Sequence, residues 1–276
     1  MKSFSELQQQ LQNQSGKPRI AAVCATDDAT RTALRDMSEQ GLADIINVDD
    51  DNPAEAAARA VALIRNGEAE VLMKGLIGTD QLLRAVLNKE TGILPQGRVL
   101  THIAVAEVPA YDKLLFFSDA AVIPYPTHEQ RIEQVRYISQ ACRALGITEP
   151  RIALLHCAEH GGKQFPFVDG YADIIRMAEE GTFGPCIVDG PMDIKSACSA
   201  EALQAKRMTS TLEGRADALI LPDIEAGNTL YKVLTLFAGA RTAGILCGTT
   251  APVVVPSRGD SPETKFNSML LALASL

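Results

Sequence analysis

Arg19-Ile20-Ala21-Ala22-Val23-Cys24, then Thr26-Asp27-Asp28, then a helical stretch closed by Gly41, reads as strand, cap and helix. The same unit follows at once: Asn52 before Pro53 opens a helix with proline at its first position, Gly67 closes it, and Val71-Leu72-Met73-Lys74 is the next strand. Short apolar runs, loops carrying Gly, Asp, Ser or Thr, and longer stretches with helical spacing then recur along the chain. That alternation predicts an α/β fold with a largely parallel sheet covered by helices. Further strands are expected near 151–157, 186–188, 218–221 and 245–247, a long amphipathic helix over 127–145, and a last helix from Pro262. Between Val99 and Ser118, Pro109-Ala110-Tyr111-Asp112 separates two apolar halves, which predicts paired strands and hence a partly mixed sheet.

With 276 residues, 46% of them hydrophobic, the chain can bury a sizeable core and lies where one domain commonly divides into two. Pro124-Tyr125-Pro126 and Gly248 mark the expected crossings, giving one α/β lobe from 1–125 plus 248–276 and a second from 126–247. A formal charge of −8 without a long Lys or Arg run offers no electrostatic footprint for nucleic acid or an anionic membrane. A polyanionic ligand would have to be met by local cations. No run approaches the roughly 18 to 20 apolar residues of a membrane span. The start MKSFSELQQQLQNQSGK lacks the apolar centre of a signal peptide, so a cytoplasmic location is expected.

Cys24, Cys142, Cys157, Cys186, Cys198 and Cys247 lie far apart and never form a C-x-x-C pair, which predicts buried reduced thiols. Cys157 and Cys247, at predicted strand ends, are the two of most interest. His102, His128, His156 and His160 are scattered. His156 and His160 come near a metal spacing, but Gly161-Gly162 argues against the continuous helix it needs, so no metal is expected.

In open α/β sheets ligands collect beyond the carboxyl ends of strands, where helix amino termini present free N–H groups. The loop Pro256-Ser257-Arg258-Gly259-Asp260-Ser261-Pro262 fits an anion cradle: a hydroxyl, a planar fork of donors, a glycine that allows close approach, and a cap. A capped helix with a surface arginine is the plainer account. In Leu221-Pro222-Asp223, followed by Asn228 and Lys232 one helical turn apart, the latter two share a face able to clamp a phosphate or carbonyl oxygen. Equally, they make an ordinary exposed pair. Lys74-Gly75, Thr79 and, down the helix, Arg84 form a third candidate, with Thr249 beside the last strands. Asp189-Gly190-Pro191-Met192-Asp193 reads first as a turn.

Leu72–Thr79 (LMKGLIGT), SDAAVIPYP from Ser118, VDGPMDI from Val188, GRADALILPDIEAGNTLYK from Gly214 and APVVVPSRGDSPETKFNS from Ala251 together resemble the phosphate acetyltransferase and phosphate butyryltransferase family, in particular its butyryltransferase branch. The resemblance implies an isocitrate/isopropylmalate dehydrogenase-like fold of two lobes around a cleft and a homodimer or higher homo-oligomer. It implies the reaction acyl-CoA plus phosphate giving acyl phosphate plus CoA, with coenzyme A as substrate and no permanently bound cofactor, metal or nicotinamide. Carried over by position, Ser257 would orient or hydrogen-bond the reacting thiol, Arg258 would bind phosphate, and Arg84 resembles a family arginine at the substrate cleft; Lys74, Thr79, Asp223, Asn228, Lys232 and Thr249 are the further residues expected to bind substrate. The acetyltransferase branch has an aspartate seven positions after the serine; here that place is Thr264, which leaves Asp260 and Glu263 as the carboxylates at hand. Asp193-Ile194-Lys195-Ser196 is a second departure, where an Asp-Asn pair would follow the D-G-P turn.

Two other readings are set against this one. A metal- and NAD-dependent dehydrogenase of the same fold needs an aspartate cluster and a dinucleotide fingerprint, and no G-x-G-x-x-G is present. A non-catalytic protein binding acyl phosphate or acyl-CoA would not need Ser257, Arg258, Asn228 and Lys232 together.

Overall fold

The computed structural model describes residues 1–13 and 16–276. In chain order the elements are α1 (Phe4–Gln12), β1 (Arg19–Val23), α2 (Asp28–Glu39), β2 (Asp44–Val48), α3 (Pro53–Arg65), β3 (Val71–Lys74), α4 (Thr79–Val86), β4 (Thr101–Glu107), β5 (Leu115–Ser118), α5 (His128–Ala144), β6 (Arg151–Leu155), α6 (Tyr171–Glu179), β7 (Ile187–Met192), α7 (Ile194–Cys198), α8 (Ala200–Ala205), β8 (Ala218–Ile220), α9 (Ile224–Leu236), β9 (Arg241–Cys247), β10 (Val253–Val254) and α10 (Pro262–Ala274), with a 3-10 turn at Pro166–Gly170 before α6. Packing divides the chain into two compact units, Met1–Lys2 with Thr101–Ala240, and Ser3–Leu100 with Arg241–Leu276. Both crossings fall earlier than Pro124 and Gly248. The β4–β5 hairpin is registered on β8, with Phe116 opposite Ala218, which carries 101–125 into the central unit. β9 pairs with β10, which carries 241–247 into the other.

In the unit built from the two chain ends the strands run in the order β2-β1-β3-β10-β9. The first four are parallel and β9 is antiparallel to β10. Its helices other than α4, which starts on Gly78, begin on a side chain that accepts from a free amide of the first turn. Asp27 accepts from the Thr30 amide, Asn52 from Ala54 with Pro53 following, and Ser261 from Thr264 with Pro262 following. Gly41 and Gly67 sit at φ +69° just past α2 and α3, the left-handed position that glycine fills without Cβ strain. The second half of α10 is buried almost all round, Met269, Leu270, Leu271 and Ala272 included, so it serves as a core helix against α2 and β9. Each large apolar side chain among them contributes roughly 1.5 to 3 kcal/mol through burial.

The central unit has strand order β4-β5-β8-β6-β7, antiparallel at β4–β5 and parallel thereafter. Phe117, Leu219, Leu155, Met192 and Leu212 anchor its core, with the Tyr231 ring 6.5 Å from that of Phe117. α5 begins as a capping box in which Thr127 and Gln130 satisfy each other's amides. Asp189-Gly190-Pro191 is not a turn after a strand but lies inside β7. The strand absorbs it through a shifted register between Ala153 and Leu155 of β6, and the Asp189 carboxylate accepts from Ser210 and Thr211. No helix among the described residues is long and apolar enough to cross a membrane.

Candidate active site

In the unit of the two chain ends, β1, β3 and β10 finish side by side: Val23 pairs with Lys74, and Val254 with Met73. Their loops pack closely. Gly75 donates its amide to the Val23 carbonyl, and a Cβ there would collide with the Cys24 carbonyl, so only glycine fits. Above β10, the Ser257 amide donates to the Asp260 carboxylate at 2.8 Å and the Asp260 amide to the Ser257 carbonyl at 3.2 Å, folding a tight turn ahead of α10. The Gly259 amide points at the Ser257 hydroxyl, 3.4 Å away. Arg258 is exposed, and among the described residues its guanidinium donates no hydrogen bond.

Beneath this turn lies a charged cluster. Lys265, 3% exposed in the first turn of α10, donates to Asp27 at 3.0 Å and to the Thr30 hydroxyl at 2.7 Å. Partial burial pushes the Asp27 carboxyl up, but hydrogen bonds from Thr30 and Lys265 outweigh it and bring its pKa to about 2. Lys74 is also 3% exposed, and donates one hydrogen bond, to the Gly75 carbonyl at 3.2 Å. Burial first, then repulsion from Arg258 and Lys265, hold its ammonium below the ordinary lysine range, with Asp27 and Asp260 pulling the other way. The structure therefore brings Lys74, Arg258 and Asp260 together electrostatically.

Other expected residues of this unit stand apart from that cluster. Thr249 precedes β10 whereas Ser257 follows it, so the two occupy opposite ends of the strand; the Thr249 hydroxyl donates to the Ala251 carbonyl at 2.7 Å. Glu263 closes on Arg241 at 2.6 Å. Thr79 is the exposed first residue of α4, and Arg84 lies 4.0 Å from Asp80, lining a groove of about 460 Å³ with Ala54, Ala58 and Val61 of α3.

In the central unit the β8–α9 connection carries Asp223, Asn228 and Lys232. Asp223 caps α9 through the Ala226 amide at 2.8 Å. Asn228 donates its side-chain amide to the Ala120 carbonyl at 3.2 Å, while a Cβ on Gly227 would collide with the Asp119 carbonyl, so α9 sits tightly on the 118–123 segment. That segment is organised by Asp119, 2% exposed, which accepts from Thr101, from the His102 amide and from the amides of Ala121, Val122 and Ile123. Arg131 is buried, stacks 4.8 Å from the Phe167 ring and donates to the carbonyls of Leu221 and Pro222. Asn228 and Lys232 are both exposed one turn apart, as their spacing predicts.

Sequence reasoning reads Asp27 only as a cap and passes over Lys265, Asp119 and Arg131. The available signals are an Asp directly after a strand, and a Lys next to the position where the acetyltransferase branch has its aspartate. The cysteines depart from expectation: among them Cys142 alone is buried, Cys157 is exposed and the other four are intermediate. No group of three His, Cys, Asp or Glu among the described residues is placed to hold a metal.

Residues 51–273 match the family described as phosphate acetyl/butaryl transferase. A phosphate butyryltransferase of Clostridium acetobutylicum is 36% identical over 295 residues, covering 99% of this chain and 97% of that protein. A phosphate acetyltransferase of Thermotoga maritima is 36% identical over 220 residues, covering 80% and 74%. Among solved structures, a branched-chain phosphotransacylase from Enterococcus faecalis is similar with a TM-score of 0.82 at 30% identity, covering 94% of this chain and 98% of that one. With likeness of this extent in both sequence and fold, the chain belongs to the phosphate acetyl/butaryl transferase family.

Proposed function

We propose that this enzyme exchanges a short-chain acyl group between the thiol of coenzyme A and inorganic phosphate, with butyryl or a similar chain as the preferred acyl group. The observation that carries the reading is 36% identity, over nearly the full length of both chains, to a phosphate butyryltransferase. The Arg258 and Lys74 cations at the converging ends of β3 and β10, free of ion pairs among the described residues, support it. A phosphate oxygen attacks the thioester carbonyl, the tetrahedral oxyanion collapses, and the thiolate leaves; coenzyme A is a substrate and not a resident cofactor. The protein must hold a dianion beside the acyl carbon and stabilise the departing thiolate. Ser257 serves as hydrogen-bond donor to the thiol sulfur and Arg258 as phosphate ligand. Lys74, Thr79, Arg84, Asp223, Asn228 and Lys232 are assigned to substrate binding, whereas Thr249, at the other end of β10 from Ser257, is not.

For the proton, Asp260 is the carboxylate within the Ser257–Arg258 turn, whereas Glu263 turns to Arg241. An aspartate still needs its basicity raised toward that of a thiol to act well, so thiolate stabilisation by Arg258 carries more of the load. The enzyme is assigned to the cytoplasm as a homodimer. Val233, Leu236 and Phe237 at the end of α9, the last 79% exposed, supply an apolar surface for self-association. Phosphate-dependent release of free thiol from butyryl-CoA, unchanged by a chelator, is the deciding measurement; thiol release that ignores phosphate, or none, defeats the reading. A panel of acetyl-, propionyl- and butyryl-CoA sets chain length, since one methylene shifts preference by about 1 to 3 kcal/mol.

A further inference from the structure

Lys74 stands out in the charged cluster because nothing matches its charge directly. Lys265 is closed by Asp27 and Thr30. Lys74 is just as buried, yet its ammonium has three donors, one of which reaches the Gly75 carbonyl. Among the described residues it forms no ion pair. A desolvated ammonium in this condition is costly, and the cost is relieved when an anion arrives. The register puts Lys74 one pair beyond Val254–Met73, beside Val255 and two residues before Ser257, at the foot of the turn that carries Arg258. The amino terminus of α10, thirteen residues long, adds its own positive end.

Resting on the acyl-exchange reading, we infer that Lys74 is the second phosphate-binding cation of the site, gripping from β3 the same phosphoryl oxygens that Arg258 grips from the loop. The charged groups facing it are Asp27 at the start of α2, Arg258 and Asp260 in the β10–α10 loop, and Lys265 in α10. Burial and the two neighbouring cations favour loss of its proton; a bound dianion favours keeping it. Phosphate binding therefore weakens as pH rises, at a pH where an exposed lysine or an arginine keeps its charge. The phosphates of coenzyme A share this chemistry, and separate Michaelis constants tell the two sources apart.

The test compares KM for phosphate and for butyryl-CoA in the wild-type enzyme and in Lys74→Met. Methionine keeps the buried apolar stem, so the melting temperature should hold. The expected result is a KM for phosphate about ten- to a hundredfold higher, with KM for butyryl-CoA unchanged. An unchanged phosphate KM overturns the inference, and so does a rise confined to butyryl-CoA, which would assign Lys74 to the larger substrate. Should the variant not fold, Lys74→Arg and Lys74→Gln are titrated with inorganic phosphate by phosphorus NMR at about pH 8, where phosphate is a dianion. Arginine, which keeps the charge, should retain the affinity and glutamine should lose it about ten- to a hundredfold; equal affinities overturn the inference. Absence of phosphate-dependent thiol release in the wild type defeats the functional reading instead, and leaves the equilibrium titration as the measure of Lys74.

Discussion

Two helix starts that follow strand ends invite comparison, that of α9 in the central unit and that of α10 in the unit of the chain ends. At α9 the polar groups are largely engaged by the protein itself: Asp223 caps, Asn228 holds the Ala120 carbonyl, and Arg131 holds the Leu221 and Pro222 carbonyls. At α10 the cap and the Asp27–Lys265 pair are engaged in the same way, but Arg258 and most of Lys74's donors are not. Side chains bonded to carbonyls maintain shape, whereas cations left over beside them are available to a ligand. The same secondary-structure device can thus serve architecture in one place and recognition in another.

Four substitutions break or sharpen this contrast. The largest expected effect is on Asp27→Asn, which keeps the cap but strands Lys265; breaking a buried pair in this way costs about 3 to 5 kcal/mol, read by urea denaturation. Its pH arm has a definite sign. Because the folded pKa of Asp27 is about 2 against an ordinary 3.8, its contribution is complete above pH 3.8 and lost as pH falls toward 2. The wild type should lose about 2 kcal/mol over that window and the Asn variant should not; parallel acid curves for the two proteins contradict the pairing.

Next comes Arg131→Met, which leaves the Leu221 and Pro222 carbonyls without their donor and should cost about 2 kcal/mol of stability, read by the same denaturation. Arg258→Ala should leave the melting temperature alone, since the side chain is exposed and unengaged, while lowering kcat/KM for phosphate by the equivalent of about 1.5 to 3 kcal/mol. Unaltered kinetics with phosphate would remove Arg258 from the site. Asn228→Ala is the smallest: about 1 kcal/mol of stability, with a lesser loss of activity than Arg258→Ala. Were Asn228→Ala thermally silent and catalytically dead, the contrast between the two helix starts would be reversed.

What the sequence made legible follows the range of the interactions concerned. Helix starts are local, so Asn52-Pro53, the amphipathic spacing from Thr127, and Ser261-Pro262 announced α3, α5 and α10 within a residue or two. The hairpin at β4–β5 was equally local. Asp189-Gly190-Pro191 misled because turn-forming residues can be carried inside a strand when its partner shifts register. Thr249 lies close to Ser257 along the chain, but β10 runs between them and separates what a short span of sequence suggests is close. The Asp27–Lys265 pair spans 238 positions, and no pattern within one window can reveal it. The lobe crossings were displaced for the same reason: whether 101–125 and 241–247 belong to one unit or the other is decided by their strand partners, not by proline or glycine punctuation.

The placement of β10 between β3 and β9 has a consequence for how this protein is made. On the ribosome β1, β2 and β3 emerge well before β10, the strand that covers the open side of β3. Until then β3 presents an unpaired hydrogen-bonding edge, which is a template for association with other chains. Lys74 stays without its companion Arg258 over the same interval, so a nascent chain lacking the segment from β10 onward has neither the pair of cations nor the core helix α10.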